Sequence, residues 1–487
     1  MTSLSRREFL KLASAVAALP ATRIAARESG VLVNDIHAQI NPTRVRAIVQ
    51  PRSQAELIAA VRRARRSGGK LSLCGGRHSM GGQQFGTGTT LLDLRSMNDV
   101  LNFDRQRGIV EVESGIEWPK LINYLVDRGS WAIAQKQTGA DALTIGGALA
   151  SNVHGRGLTM KPIVSDIESF TLIDSEGRAI RCSREENIDR FRLAVGGYGL
   201  FGVVSSVSLR LVPRRKLRRV VEVRDVDDII SRFDDRIRSG FTYGDFQFAI
   251  DPQSDEFLRH GVFSCYQPVD DANAIPNGQK ELSGEDWNNL LVLAHINKAE
   301  AFKRYAAYYL STSGQIYWSD VQQLGYYVGG YHAALDRAMH APEATEIITE
   351  VYVPRPQLAA FMHELADDIR RNQVNLIYGT VRLIQRDDET FLAWAKQPYA
   401  CIVLNLHMVH TPEGIQATAD TLRRMIDLAS ARAGSFYLTY HRFATARQLD
   451  ACYPQFRSFL ALKRQYDPSE LFSSDWYEHH KRLMQSA

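Results

Sequence analysis

Three glycine clusters in the first half of the 487-residue chain carry the residue types and spacing that chemistry needs. Cys74-Gly-Gly-Arg-His-Ser-Met-Gly-Gly82 places Gly75, Gly76, Arg77, His78 and Ser79 in one loop. Glycine there leaves backbone N–H groups free and lets a ligand approach the main chain, which suits a pyrophosphate with Arg77 and Ser79 as further donors. Thr144-Ile-Gly-Gly-Ala-Leu-Ala-Ser-Asn-Val-His-Gly-Arg-Gly157 holds small residues from Gly146 to Ser151 that permit close packing against a ligand or a helix. His154-Gly155 then interrupts them with a titratable group, to be read either as a buried structural histidine or as part of a site. Gly197-Tyr-Gly-Leu-Phe-Gly202 fits G-x-G-x-x-G, but a dinucleotide fingerprint needs a strand before the glycines and a helix after them. Val203 to Leu211 alternates and is rich in β-branched residues, so a strand follows and nicotinamide binding is rejected.

The elements that must hold these loops read as mixed α and β. Ser53-Gln-Ala-Glu56 is a capping-box pattern ahead of an apolar stripe, and Gly68-Gly69 stops that helix. Lys70–Cys74 and Gly108–Val112 read as strands. Pro119 opens a helix that ends near Gly129. Segments 170–174 and 179–182 flank Ser175-Glu-Gly177 as a hairpin, and Val203–Val212 is a strand closed by Pro213. The basic run Arg214–Arg219 reads as a solvated connection between domains. Beyond it, strands are expected near 243–250, 347–353, 376–384 and 401–409, and helices near 286–312, 356–371 and 413–432. That pattern implies a second α+β domain on a mostly antiparallel sheet.

Gly-Gly-Arg-His-Ser at 75–79, Thr-Ile-Gly-Gly-Ala at 144–148, His-Gly-x-Gly at 154–157 and Gly-x-x-Gly-Val-Val at 199–204 fall in order. Together they resemble the FAD-binding domain of the vanillyl-alcohol oxidase / p-cresol methylhydroxylase (PCMH) superfamily, nearest its alditol and aldonolactone oxidases. Tyr466-Asp-Pro-Ser-Glu-Leu-Phe472 resembles that family's closing segment, which returns to the FAD domain. The resemblance implies an α+β fold: a PCMH-type, two-subdomain FAD-binding domain at 41–213, an α+β substrate cap with an antiparallel sheet at 220–445, and a returning segment at 446–487. It implies FAD as cofactor and hydride transfer from a C–OH group to flavin N5. In many members the histidine matching His78 is bonded to the flavin 8α-methyl carbon; a hydrogen-bonding role for His78 is the alternative. Near Ala140 there is no thiol for a second, cysteinyl link. By position, Gly139, Thr144, Gly146, Gly147, Ser151, Asn152, His154 and Gly155 are implied along the FAD, with Gly202, Val203 and Val204 beside its rings.

On the substrate side the pattern departs from the family. The Glu-x-Arg of alditol and aldonolactone oxidases becomes Thr380-Val-Arg382, keeping the arginine and losing the carboxylate, and His-Trp-Gly-Lys has no clear match. Phe436–Ala444 instead resembles the Tyr-Leu-Thr-Lys stretch of decaprenylphosphoryl-ribose oxidase relatives, with Tyr440 in the lysine's place. A proton acceptor for the substrate hydroxyl is sought among His441, first, then Tyr440 and Tyr437. Asn405 and His407 share one face of the 401–409 strand and are further candidates. Arg382 either orients an oxygen-rich substrate or forms a surface ion pair. The electron acceptor, oxygen or a quinone or cytochrome, is left open. A flavin-carrying binding protein with a degraded site is the non-enzymatic alternative.

Composition narrows the partners. Hydrophobic residues make up 45% and charged residues 23%, and the net charge of +5 drops to about +2 once residues 1–29 are set aside, which excludes nucleic acid as the natural partner. Residues 1–30 read as a twin-arginine export signal: Ser5-Arg-Arg-Glu-Phe-Leu-Lys11, then eight mildly apolar residues, Leu12–Leu19, far short of the roughly 20 a spanning helix needs. The expected address is periplasmic or secreted. Five scattered cysteines form no C-x-x-C, so neither a zinc ribbon nor a disulfide framework is expected, and no metal site is anticipated.

Overall fold

Strand alternation and glycine stops build three sheets of three or more strands, beside the two-stranded pair Val31–Val33 and Thr43–Val45, in the computed structural model, which describes residues 30–325 and 330–486. The twin-arginine segment therefore lies outside the described residues. The first sheet is parallel, in the order Ala47–Val49, Thr90–Asp93, Leu71–Cys74. Helix Gln54–Arg66 makes its crossover, capped by Ser53 Oγ, which accepts from the Glu56 N–H. Leu71 ends the sheet on the polypeptide's far end: its N–H donates to the Leu471 carbonyl at 2.7 Å and its carbonyl accepts from Ser473 N–H at 2.8 Å.

A second sheet of six strands is antiparallel, with Val203–Pro213 at its centre between Ile167–Ile173 and Ile109–Glu113. The expected hairpin is present as Ile167–Ile173 paired with Ala179–Ser183. Because a strand follows Gly202, the rejection of a nicotinamide fingerprint holds.

From Lys216 onward the chain builds an eight-stranded sheet, all of whose pairs are antiparallel. Strand Ala344–Pro354 pairs with Tyr399–Val409 along its whole length, and that strand pairs with Leu376–Ile384. Alternation splits Ala344–Pro354 into two sets. Ile347, Thr349, Val351 and Val353 form one buried face, and Glu346, Ile348, Glu350 and Tyr352 form the other. Among the described residues no helix is long and apolar enough to cross a membrane.

Two expectations change. Arg214–Arg219 is solvated only in part: Arg215 and Arg218 are exposed, whereas Arg214 Nε lies 3.0 Å from Asp320 Oδ2 with both side chains buried, and Arg219 donates to Tyr266 Oη and Thr312 Oγ1 from inside strand Lys216–Asp225. Its guanidinium stacks over Tyr317 at 4.6 Å, so aromatic partners rather than water solvate the charge. The helix expected over 286–312 is two helices, Gly284–Ile296 and Lys298–Ser311, because Asn297 leaves helical geometry and caps the second by accepting from the Glu300 N–H. All five cysteines are free and buried, the role of small apolar residues.

The C-terminal helices Ala446–Cys452, Phe456–Tyr466 and Asp475–Gln485 surround a buried ion pair. Lys463 Nζ donates to Asp467 Oδ2, with the two side chains 0% and 2% exposed. Asp467 also accepts from the backbone N–H groups of Leu471 and Phe472 at 3.0 and 2.9 Å, which shapes the turn into the 471–473 segment.

Candidate active site

Glycine makes the first part of the site. A Cβ on Gly75 would collide with the Thr144 side chain, and one on Gly76 with the Ala142 carbonyl, so the loop and the 142–147 segment touch through glycine alone. Arg77 sits at φ +62°, a left-handed conformation in a non-glycine residue that turns the loop sharply. Among the described residues, the amides of Gly76, Arg77, His78 and Ser79 find no backbone acceptor within the chain. Such a row of free N–H groups is an anion cradle.

Above it opens a cleft lined by all three glycine clusters. Gly75, Gly76, Arg77, His78, Ser79, Thr144, Gly146, Gly147, Ser151, Gly202, Val203 and Val204 all line it. Four residues assigned by position do not. Gly139 is exposed and outside the lining. Asn152 is turned the other way at φ +48°, donating to Asp387 Oδ2 at 2.8 Å and accepting from Val164 N–H. Gly155 donates to Gln135 Oε1. His154 belongs to the carboxylate cluster below. Conversely, Gln83, Gln84 and Ser114 line the cleft and carried no motif, and Tyr198, at φ +53°, and Phe201 line it from inside the 197–202 glycine motif, where only the glycines had been singled out.

His78 Nδ1 lies 2.8 Å from His37 Nε2, while its buried Nε2 has no hydrogen-bond partner. Burial pushes the His78 imidazole down to about 4, so the ring is neutral and nucleophilic at neutral pH. A free-amide cradle, a glycine contact that excludes side chains and an unpartnered imidazole together fit FAD.

The segment 437–440 is pinned to three residues that line this cleft, Ser151, Gln83 and Tyr198. Tyr437 Oη donates to the Ser151 carbonyl, Gln83 Nε2 donates to the carbonyls of Leu438 and Thr439, and Thr439 Oγ1 donates to Tyr198 Oη. Tyr440 Oη donates to Glu350 Oε1 at 2.9 Å. On the other carboxylate oxygen, Oε2, Glu350 accepts from Tyr352 Oη and His154 Nε2, both at 2.8 Å. The second ring nitrogen of His154 faces the Gly155 carbonyl at 3.0 Å. Burial alone would push the Glu350 carboxyl up, but His154, Arg382 and Tyr352 hold it down at about 2. Burial, reinforced by Glu350, pushes the Tyr440 phenol well above its ordinary value. Arg382 is buried, not a surface ion pair, and donates to Thr138 Oγ1 with its Nε unpartnered.

Glu350 is the residue that motif comparison missed. The carboxylate absent at Thr380 comes from a strand two places along the sheet: Arg382 faces Cys401, and Glu350 faces Val403, on opposite sides of strand Tyr399–Val409. The signal available was one acid in the otherwise apolar run Ile347–Val353.

Two catalytic expectations are corrected. His441 lies on the other side of the strand from Glu350: its Nε2 is 3.5 Å from Thr349 Oγ1, its ring stacks between Phe436 and Phe443, and it is 1% exposed. His407 is removed from Tyr440 and packs with His295 and His332. Asn405, on the face of His407, keeps a buried Oδ1 without a partner.

His441 and the fully buried His480 make stability depend on pH. Burial pushes both down to about 3 from 6.5, so the folded chain keeps them neutral where the unfolded chain protonates them. Between these values the unfolded state binds more protons, so their contribution is complete above pH 6.5 and shrinks as pH falls, by about 1.4 kcal/mol per pH unit for each ring. The thermal midpoint is expected to be level above pH 7 and to drop steeply from 6.5 to 4.5. A midpoint constant down to pH 4.5 contradicts this.

Comparison with known proteins agrees with the geometry. Residues 45–183 match the FAD binding domain family, and residues 292–480 match the D-arabinono-1,4-lactone oxidase family. The chain is 24% identical over 437 residues to L-gulono-1,4-lactone dehydrogenase of Mycobacterium tuberculosis, covering 88% of this chain and 94% of the relative. It is 27% identical over 189 residues to L-gulonolactone oxidase of Mus musculus, 39% of this chain and 42% of the relative. Against D-arabinono-1,4-lactone oxidase of Eremothecium gossypii it is 26% identical over 201 residues, 40% of this chain and 37% of the relative. A free-amide cradle whose two first glycine loops fall within the match to the FAD binding family, followed by a segment matching the D-arabinono-1,4-lactone oxidase family, makes this chain an FAD-dependent oxidoreductase acting on CH–OH donors, consistent with the vanillyl-alcohol oxidase / PCMH superfamily near its alditol and aldonolactone oxidases.

Proposed function

We propose that the protein oxidises a C–OH group of a sugar-derived lactone or polyol, with Glu350 receiving the hydroxyl proton through Tyr440. The observation that carries this reading is the buried set Tyr440–Glu350–His154 with Arg382 beside it, joined to the cleft lining through the 437–440 segment. Bound FAD supplies the hydride acceptor. Tyr440 cannot itself be an anionic base, since its proton is held on Glu350. Its oxygen retains lone pairs for a substrate O–H, and the phenolic proton moves to Glu350 Oε1 as the hydroxyl proton arrives, so the tyrosine ends neutral. His154 stays on Oε2 and keeps the carboxylate oriented. Arg382 offers its unpartnered Nε–H to an oxygen of the substrate and supplies the positive field that favours charge building up during transfer.

Covalent attachment of FAD through His78 belongs to this reading, supported by the neutral imidazole and its unpartnered Nε2. So does export of the folded, loaded protein to the periplasm or medium, supported by the Ser5–Lys11 pattern; a tether spares an exported enzyme from recapturing free cofactor. Oxygen or another carrier takes the electrons.

The test is an anaerobic titration of the holoenzyme with aldonolactones, polyols, free sugars and aryl alcohols, followed at the flavin bands. Bleaching by a lactone or polyol is expected; bleaching by aryl alcohols alone, or by none of the panel, overturns the substrate class. Acid precipitation of the same sample is expected to give a yellow pellet, and a colourless pellet removes the His78 link while leaving the oxidation intact.

A further inference from the structure

We propose that His295, His332, His407 and Glu346 form a binding site for one divalent transition-metal ion of the zinc type. The four side chains come from four elements. His295 lies in the last turn of helix Gly284–Ile296, His332 opens helix His332–Met339, His407 lies on strand Tyr399–Val409, and Glu346 stands directly opposite His407 on strand Ala344–Pro354. One ring nitrogen from each histidine lies within 4.8 Å of those of the other two. Glu346 Oε1 is 3.1 Å from His295 Nε2 and 3.2 Å from His332 Nε2. Four ligands held at ~2.0–2.1 Å around a tetrahedral ion stand about 3.3 Å from one another, so these spacings suit a shared centre.

Hydrogen bonding alone does not account for the cluster. Tyr331 Oη and His295 Nε2 both bond the Glu346 carboxylate. His332 does not, since neither of its buried ring nitrogens makes a hydrogen bond, although Nε2 lies within 3.2 Å of that carboxylate. Its direction is wrong for the oxygen and is free for a third atom between them. His407 Nδ1 is likewise buried without a partner. Buried imidazole nitrogens are normally paired, and two rings, His332 and His407, each with an unpaired buried nitrogen beside His295 and Glu346, leave room for a cation that takes one lone pair from each. Three imidazoles and one carboxylate select zinc, cobalt, nickel or copper over magnesium and calcium, which prefer oxygen.

The site is separate from the carboxylate that serves Tyr440. Glu346 and Glu350 point to the same side of one strand, four residues and ~13 Å apart. An ion there ties the two helices that flank the described part of segment 297–331 to the sheet. The expectation of no metal rested on local spacing, which cannot see ligands 112 positions apart in numbering, from His295 to His407.

The full-length holoenzyme, freed of loose metal with a chelator, is incubated with Co²⁺ or Zn²⁺, desalted and analysed by elemental mass spectrometry, with Co²⁺ bands read to the red of the flavin absorption. One ion per chain and tetrahedral Co²⁺ bands are expected. His332→Ala and His407→Ala are each expected to lose the ion while keeping normal flavin absorbance, which shows they have folded; His295→Gln replaces any variant that does not fold. Retention of no ion by the wild type, or undiminished retention in the folded variants, overturns the proposal. Neither outcome depends on which substrate is oxidised.

Discussion

Glu350→Gln is expected to lower kcat by roughly 10²–10⁴-fold while leaving FAD content unchanged, the range lost when a positioned proton acceptor is removed. The amide matches the carboxylate in shape but brings one acceptor oxygen where Tyr352, His154 and Tyr440 present three donors to two. It also weakens the acceptor that orients the His154 ring. Stopped-flow measurement of anaerobic flavin reduction reads the step directly. Tyr440→Phe distinguishes a relay from a carboxylate that acts alone: a comparable loss supports the relay, and a rate within about threefold of wild type shows that substrate reaches Glu350 directly. Because Glu350 is held at about 2, its protonation takes no part in any fall of activity between pH 5 and 9. A wild-type rate in Glu350→Gln would remove the proposed proton path altogether.

Asp467→Ala is expected to be the most destabilising single change in the C-terminal segment, at about 3–5 kcal/mol, because it strands Lys463 as a buried, unpaired charge. The same change removes the acceptors of the Leu471 and Phe472 amides. Removing the charge as well, in Lys463→Met with Asp467→Leu, is expected to recover only part of the loss, since those two amides stay unpaired. Urea unfolding of the three proteins separates the contributions. A cost under about 1 kcal/mol for Asp467→Ala would mean that water reaches Lys463.

What could be read from the sequence was whatever the backbone decides locally. The Gly75–Ser79 loop, the 167–183 hairpin and the strand after Gly202 depend on the conformational demands of contiguous residues, and they form as expected. The FAD cleft was legible for that reason. The substrate side depends on strand register, which no local pattern carries. Tyr440 and His441 are adjacent in the chain, yet Tyr440 turns to Glu350 and His441 to Thr349, on opposite sides of one strand. Thr380 and Glu350 exchange roles only because strand Tyr399–Val409 lies between theirs. Likewise Arg214 and Arg219 read as solvated charges, whereas Asp320, Tyr266 and Tyr317 are brought to them from 47 or more residues away.

The pairing of Leu71 with Leu471 and Ser473 sets a clock for biosynthesis. The edge of the sheet beside the cofactor loop stays open until about 400 more residues have left the ribosome, some tens of seconds at ~5–20 residues per second. Nascent chains therefore expose that edge to chaperones throughout translation, and cofactor insertion into the finished sheet is a post-translational event.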